Sequence, residues 1–74
     1  MTLTELRYLV TLAQERHFGR AAERCHVAQP TLSVAVKKLE DSLGLGLFER
    51  HRHGVLMTPA AEALIAQAHV VLAE

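Results

Sequence analysis

The side chains with the clearest chemical potential lie between residues 29 and 38. This stretch carries the amide of Gln29, the hydroxyls of Thr31 and Ser33, and the adjacent ammonium groups of Lys37 and Lys38. An amide offers a donor and an acceptor that match N7 and N6 of adenine, and lysines bind phosphates as point charges. The chemistry indicated is therefore non-covalent recognition of duplex DNA. The alternative is that Gln29 is a weak helix cap and the lysines are simply hydrated.

These groups fall on one side of a predicted helix. Apolar side chains recur at i, i+4, i+7 and i+11 and form one stripe that faces a core, namely Leu32, Val36, Leu39 and Leu43. The opposite face then carries Pro30, Val34, Lys37 and Asp41. Short side chains in the first turns suit a DNA major groove, and lysines further along suit the flanking phosphates.

A shorter helix from about Phe18 to Cys25 precedes this one. His26 and Val27 form the turn between the two helices, and Pro30 sits in the first turn of the second, where its missing N–H is tolerated. This order predicts a helix-turn-helix over about residues 18–37. After it, the apolar segments 47–50 and 55–57 flank a polar turn and predict a β-hairpin wing.

The chain ends are also predicted to be helical. Thr2 and Glu5 form a capping-box pattern, and the first helix runs to about Arg16, before a break that we attribute to the backbone freedom of Gly19. Thr58 before a proline predicts the start of the last helix. The apolar surface of the last helix exceeds one stripe and implies a second copy as partner. The predicted dimer contacts are Leu64, Ile65, Ala68, Val71 and Leu72.

Charge and composition restrict the function. The 74 residues contain eight Lys or Arg and eight Asp or Glu, so the net charge is zero, yet basic residues gather between positions 16 and 38 and again at Arg50 and Arg52. Arg20 and Arg24 share an outer face, where they reach phosphates or hydrate. A local basic face on a neutral domain predicts moderate DNA affinity and a need for a second copy.

Several other function classes are disfavoured. The chain lacks an apolar run of membrane-spanning length and a signal-peptide pattern, so we expect a cytoplasmic protein with no membrane partner. It shows no carboxylate pair, activated nucleophile or phosphate-binding glycine loop, which disfavours an enzyme. We also expect no cofactor. His51 and His53 point the same way along a strand, but a metal site needs three or four ligands, and we expect no metal.

Five segments together resemble the N-terminal DNA-binding domain of LysR-type transcriptional regulators. They are His-Phe-Gly-Arg-Ala-Ala-Glu-Arg at 17–24, Gln-Pro-Thr-Leu-Ser at 29–33, Lys-Lys-Leu-Glu-Asp at 37–41, Leu-Phe-Glu-Arg at 47–50 and Leu-Met-Thr-Pro-Ala at 56–60. The resemblance covers essentially the whole chain. Within the family the sequence is most similar to the branch that responds to hydrogen peroxide.

The resemblance implies a mainly α fold. A winged helix-turn-helix with a three-helix core and a short hairpin wing would span residues 1–58, and a linker and dimerisation helix would begin at 59–74. It implies double-stranded DNA as partner, a homodimer or a tetramer of the full-length protein, an effector-sensing domain absent from this chain, and an activator of oxidative-stress genes. The residues predicted to contact DNA are Gln29, Pro30, Thr31, Ser33, Val34, Lys37, Lys38, Arg50 and Arg52, of which Arg50 and Arg52 would lie at the backbone and minor groove.

The chain also departs from the family pattern. Ala28 replaces a common serine, Val34 stands where polar groove-facing residues are frequent, and Gly46 and Ala61 replace a common proline and a common glycine. The sensing cysteines of the peroxide branch lie in the sensing domain, so Cys25 is interpreted as a packing residue. Two alternatives stay open: a LysR-type regulator that responds to a small-molecule metabolite, and a winged helix used only for protein contacts.

Overall fold

A computed structural model describes residues 1–73 of the chain. Within them, four helices and one antiparallel hairpin follow in the order α1 Leu3–Glu15, α2 Phe18–Arg24, α3 Gln29–Leu43, β1 Phe48–His51, β2 Gly54–Met57 and α4 Pro59–Leu72. The predicted fold class, a three-helix core with a hairpin wing and a following helix, is confirmed. Glu74, the last residue of the predicted linker segment, lies outside the described residues.

Local capping signals set most helix ends where the sequence predicts them. Thr2 Oγ1 accepts a hydrogen bond from the Glu5 backbone N–H at 3.1 Å, and Glu5 Oε1 accepts one from the Thr2 N–H at 2.8 Å. This capping box lowers the pKa of the Glu5 carboxyl, because both the backbone and the side chain of Thr2 bind it. Gly44 ends α3 with φ +68°, and Thr58 Oγ1 accepts from Ala61 N–H at 3.2 Å to begin α4.

The break between α1 and α2 has a different origin from the one predicted. Arg16, not Gly19, takes the left-handed conformation, with φ 54°. His17 is the N-cap residue of α2, and its Nδ1 accepts the Arg20 backbone N–H at 3.1 Å. Gly19 lies inside α2, where an added Cβ would stand 2.9 Å from His17 Cε1. The glycine therefore makes room for the capping imidazole and does not form the bend.

The turn between α2 and α3 is a Schellman motif without glycine. His26 has φ 58°, its N–H donates to the Glu23 carbonyl at 3.1 Å, and the Val27 N–H donates to the Ala22 carbonyl at 3.0 Å. Cys25, expected to be buried here, is only partly buried. The turn fixes the angle at which α3 leaves α2.

Two apolar clusters form the core. One joins α1, α3 and α4 through Leu9, Val10, Leu39, Leu47, Ala61, Ile65 and Ala68, and the other joins α1, α2, α3 and the wing through Leu12, Phe18, Ala21, Ala22, Leu32, Val36 and Val55. The predicted stripe of α3 is therefore buried at three of its four positions. Leu43 is 42% exposed, because the chain turns back at Gly44. Leu47, which is 1% exposed, closes the core instead.

The hairpin is attached to the helices at both of its ends. Phe48 pairs with Met57, and at the tip end His51 pairs with Gly54, which has φ +141°. The following Val55 N–H donates to the Arg16 carbonyl at 3.1 Å. A Cβ on Gly54 would lie 2.5 Å from that carbonyl oxygen, so only glycine fits here without a shift of the chain.

Glu40 holds the other end of the hairpin. Its Oε2 accepts the backbone N–H groups of Leu47 at 2.7 Å and Phe48 at 3.2 Å, both partly buried. The Thr58 hydroxyl donates to the Gly46 carbonyl at 2.8 Å on the opposite side of the same segment. One carboxylate on α3 thus fixes where the wing begins.

We predict that Glu40→Ala lowers the free energy of unfolding by about 2 kcal/mol, because it leaves two backbone donors without their ionised acceptor. Glu49→Ala is the matched control, since Glu49 is an exposed residue of β1; its effect should stay within about 0.5 kcal/mol. Urea unfolding measures both variants. Equal stabilities for Glu40→Ala and the wild type would contradict the role given to Glu40.

Candidate nucleic-acid interface

The outward face of α3 is accessible along its whole length. Six of the seven predicted α3 site residues are exposed and Ser33 is half-buried, the exposed ones being Gln29, Pro30, Thr31, Val34, Lys37 and Lys38. Burial of Leu32, Val36 and Leu39 on the opposite side fixes this orientation. An α-helix with side chains is about 10–12 Å across, which matches the ~12 Å width of a B-DNA major groove.

The start of α3 has no side-chain cap and few backbone donors left for a ligand. Ala28 is the N-cap residue, and no side chain among residues 1–73 caps this end. Gln29 is the first helical residue, so its alternative role as the cap does not apply within the described chain. Pro30 has no N–H and the Thr31 N–H already donates to the Ala28 carbonyl at 3.0 Å, so an anion such as a phosphate would meet the Gln29 N–H and the positive end of the helix dipole.

The two lysines differ in their surroundings. Lys37 Nζ lies 3.1 Å from Asp41 Oδ1 in an exposed i,i+4 pair, and such pairs are weak and exchange readily for another anion. Lys38 forms no ion pair with any residue of the described chain. Lys38 therefore carries the less compensated positive charge of the pair.

Arg50 connects the wing to α3 and α2. Its Nη2 donates to Ser33 Oγ at 3.0 Å, and its guanidinium lies over the Phe18 ring at 3.8 Å from the centroid. A guanidinium has five N–H donors, so Arg50 has others besides the one that Ser33 accepts. The predicted phosphate contact of Arg50 is thus accompanied by an internal role, which sequence reasoning missed.

Arg52 stands at the tip of the hairpin and is exposed. A cleft of about 260 Å³ runs between the wing and the starts of α2 and α3, and Gln29, Arg50 and Arg52 are among the residues that line it. The described structure thus brings the wing arginines to the same side of the molecule as the first turn of α3. This juxtaposition is what a surface that contacts a groove and the adjacent backbone requires.

The two histidines of the wing pack edge to face. The His51 and His53 ring centroids are 6.4 Å apart, and His51 Nδ1 accepts the His53 backbone N–H at 3.2 Å. Within residues 1–73, no three His, Cys, Asp or Glu side chains come together as a metal site. One His51 nitrogen is therefore already used by the turn itself.

Arg20 and Arg24 form contacts with the end of α1 while they stay exposed. Arg24 Nη1 lies 3.0 Å from Glu15 Oε2 and 2.8 Å from Gln14 Oε1. Arg20 Nε lies 3.5 Å from the other Glu15 oxygen. These contacts join α2 to the end of α1, and contact of either arginine with a phosphate stays a prediction.

The predicted dimer contacts divide into buried and exposed residues. Ile65 and Ala68 are 8% and 1% exposed and pack inside the chain's own core, which corrects their assignment to a second copy. Leu64 and Leu72 are partly buried against the same cluster. Val71 is 60% exposed, and Val70, which the sequence pattern did not single out, is 77% exposed. No helix in the described part of the chain has the length and apolarity that crossing a bilayer demands.

Comparisons with known proteins agree with this geometry. Over its full length the chain is 54% identical to the DNA-binding transcriptional dual regulator OxyR of Escherichia coli K12 and covers 24% of that protein. A full-length OxyR variant from Pseudomonas aeruginosa is 71% identical with a TM-score of 0.90, over 97% of this chain and 24% of that one. The BenM DNA-binding domain in complex with catB site 1 DNA is 37% identical with a TM-score of 0.93, over 99% of this chain and 82% of that one.

The chain spans 24% of the length of the OxyR-type regulators it matches. Residues 3–62 match the family described as bacterial regulatory helix-turn-helix protein, lysR family. The resemblance found in the sequence motifs, including the similarity to peroxide-responsive regulators, is confirmed. The chain belongs to the LysR family of bacterial regulatory helix-turn-helix proteins.

Proposed function

We propose that this chain is the sequence-specific, double-stranded DNA-binding part of a LysR-type transcriptional regulator. The observation that carries the proposal is the outward face of α3, which exposes Gln29, Thr31 and Lys38. The wing meets this helix where Arg50 bonds Ser33 and where both wing arginines line one cleft with Gln29. Solved relatives with the same fold, such as the BenM domain on catB site 1 DNA, are DNA complexes. Residues 1–58 would form the DNA-binding domain and 59–74 the start of the linker helix.

On this proposal each part of the surface has its own role. The Gln29 amide hydrogen-bonds the edge of an adenine at the groove floor, and Lys37 and Lys38 neutralise phosphates on the groove rim. Arg52 at the wing tip enters the adjacent minor groove, where arginine is favoured when the groove is narrow. Arg50 contacts the backbone with the donors that Ser33 does not use.

The whole protein is proposed to control oxidative-stress genes in the manner of OxyR. The support is sequence similarity: 54% identity to the Escherichia coli regulator and 71% to the Pseudomonas aeruginosa protein. Several of the curated relatives are described as hydrogen peroxide-inducible genes activators. Peroxide sensing itself would reside outside this chain, since Cys25 is a single free cysteine within residues 1–73.

Binding as a homodimer follows from both charge and surface. The chain has zero net charge, so one copy gains little long-range attraction to DNA, and two linked copies bind far more tightly. Val70 and Val71 at the end of α4 are exposed apolar side chains that a second copy would cover. The proposed interface is therefore the outer side of α4.

We predict that Gln29→Ala weakens binding to a duplex selected by this chain by about 1–3 kcal/mol more than binding to random DNA, because it removes a base contact. Lys38→Ala is the matched control. It should weaken both duplexes equally and lower the slope of log K against log salt by about 1. Fluorescence anisotropy over a salt series measures both. Equal losses for Gln29→Ala on the two duplexes would contradict base reading, and a chain without DNA affinity would favour a protein-contact module.

Arg50→Lys should weaken binding to the selected duplex by about 1 kcal/mol, although the charge is kept, because lysine loses the planar stack on Phe18 and the bond to Ser33. Ser33→Ala should cost little more when added to Arg50→Lys, since both changes remove the same contact. A double-mutant cycle measures this coupling. Strict additivity, or wild-type affinity for Arg50→Lys, would mean that Arg50 acts only as a phosphate charge.

Val71→Glu should convert the dimer to a monomer in sedimentation equilibrium, because it places a carboxylate in an apolar contact. The residue is 60% exposed in the single chain, so the fold should stay intact. Leu56→Glu is the matched control, since Leu56 is a 50% exposed apolar residue on the wing. A wild-type chain that stays monomeric at every concentration, or dimers that persist in Val71→Glu, would refute the α4 interface.

A further inference from the structure

Val34 is the exposed apolar side chain at the centre of the outward face of α3. It is 53% exposed and lies one turn after Pro30 and Thr31 and one turn before Lys37 and Lys38. It also lines an open groove of about 570 Å³ together with Pro30, Thr31, Ala35 and Lys38, and with Glu5 of α1 at its edge toward that helix. The middle of the proposed DNA-reading surface is therefore an apolar strip between polar ends.

An apolar side chain at this place restricts which base edge fits opposite it. In the major groove guanine presents two acceptors, cytosine a donor and adenine one of each, and all three lose hydrogen bonds to water when an isopropyl group covers them. Thymine alone adds a C5 methyl group, which gains from the same contact. Val34 makes no hydrogen bond and so selects by shape and desolvation.

We infer that Val34 packs on the C5 methyl group of a thymine and makes thymine the required base at one position of each half-site. The inference rests on the proposed function, since it needs α3 in a major groove. The two lysines one turn further on fix the register by holding the phosphates, and Gln29 reads a different base nearer the start of the helix. Val34 is thus a specificity-determining residue that needs no hydrogen bond.

Deoxyuridine scanning tests this inference, because uracil lacks the methyl group and keeps every hydrogen-bonding group of thymine. The probe is the duplex that the wild-type chain enriches from a random library, with each thymine replaced singly. We expect one thymine per half-site at which the replacement weakens wild-type binding about fourfold, the effect of losing one buried methyl group. In Val34→Ala the effect at that thymine should become smaller, because a single β-carbon replaces the isopropyl group. Val34→Ala should fold normally, since the residue is exposed and alanine favours helix.

Lys38→Ala is the matched control on the same helix. It should weaken binding to every duplex and keep the deoxyuridine effect at the sensitive thymine. Wild-type binding that discriminates the enriched duplex from a scrambled one but shows no deoxyuridine effect would overturn the role of Val34 and leave DNA recognition intact. A deoxyuridine effect of undiminished size in Val34→Ala would do the same. A chain that enriches no duplex would overturn the inference and the proposed function together.

Discussion

Burial of one apolar stripe on α3 is the constraint on which the rest of the structure depends. Leu32, Val36 and Leu39 are at most 5% exposed and contact the apolar faces of α1 and α2. The helix cannot rotate about its axis without exposing them, at roughly 1.5–3 kcal/mol for each side chain. Everything on the other side, from Gln29 to Lys38, is consequently turned outward. The orientation of the proposed recognition surface therefore depends on burial of the opposite face of α3. The outward side chains themselves are not needed to stabilise the fold.

The wing extends this surface because it is tied to the same helix. Glu40 holds the first strand through two backbone N–H groups, and Arg50 returns to Ser33 while stacking on Phe18. The Val55 bond to the Arg16 carbonyl holds the tip side against the corner between α1 and α2. Three separate contacts thus set the distance between α3 and the wing, which is the distance a bound duplex would have to match.

Sequence reasoning succeeded where the signal is local. The capping box at Thr2, the glycine that ends α3 and the apolar spacing of α3 are each local patterns. The first two are found as expected, and the third holds at three of its four positions. It failed where the cause is distant or unmarked. Arg16 takes a left-handed conformation although it is not a glycine. Arg50 contacts Ser33 and Phe18, which lie 17 and 32 positions earlier in the chain. Ile65 is buried only because α4 packs against α1.

Amide chemical-shift mapping tests the central claim most directly. Titration of the chain with the duplex that it enriches should shift the amides of residues 29–38 and 50–53, which lie on the outward face of α3 and on the wing. The exposed side of α1, around Arg7 and Gln14, should change little. Large shifts along α1 with an unchanged α3 would contradict this claim, because the exposed residues of α3 would then not be those that contact DNA.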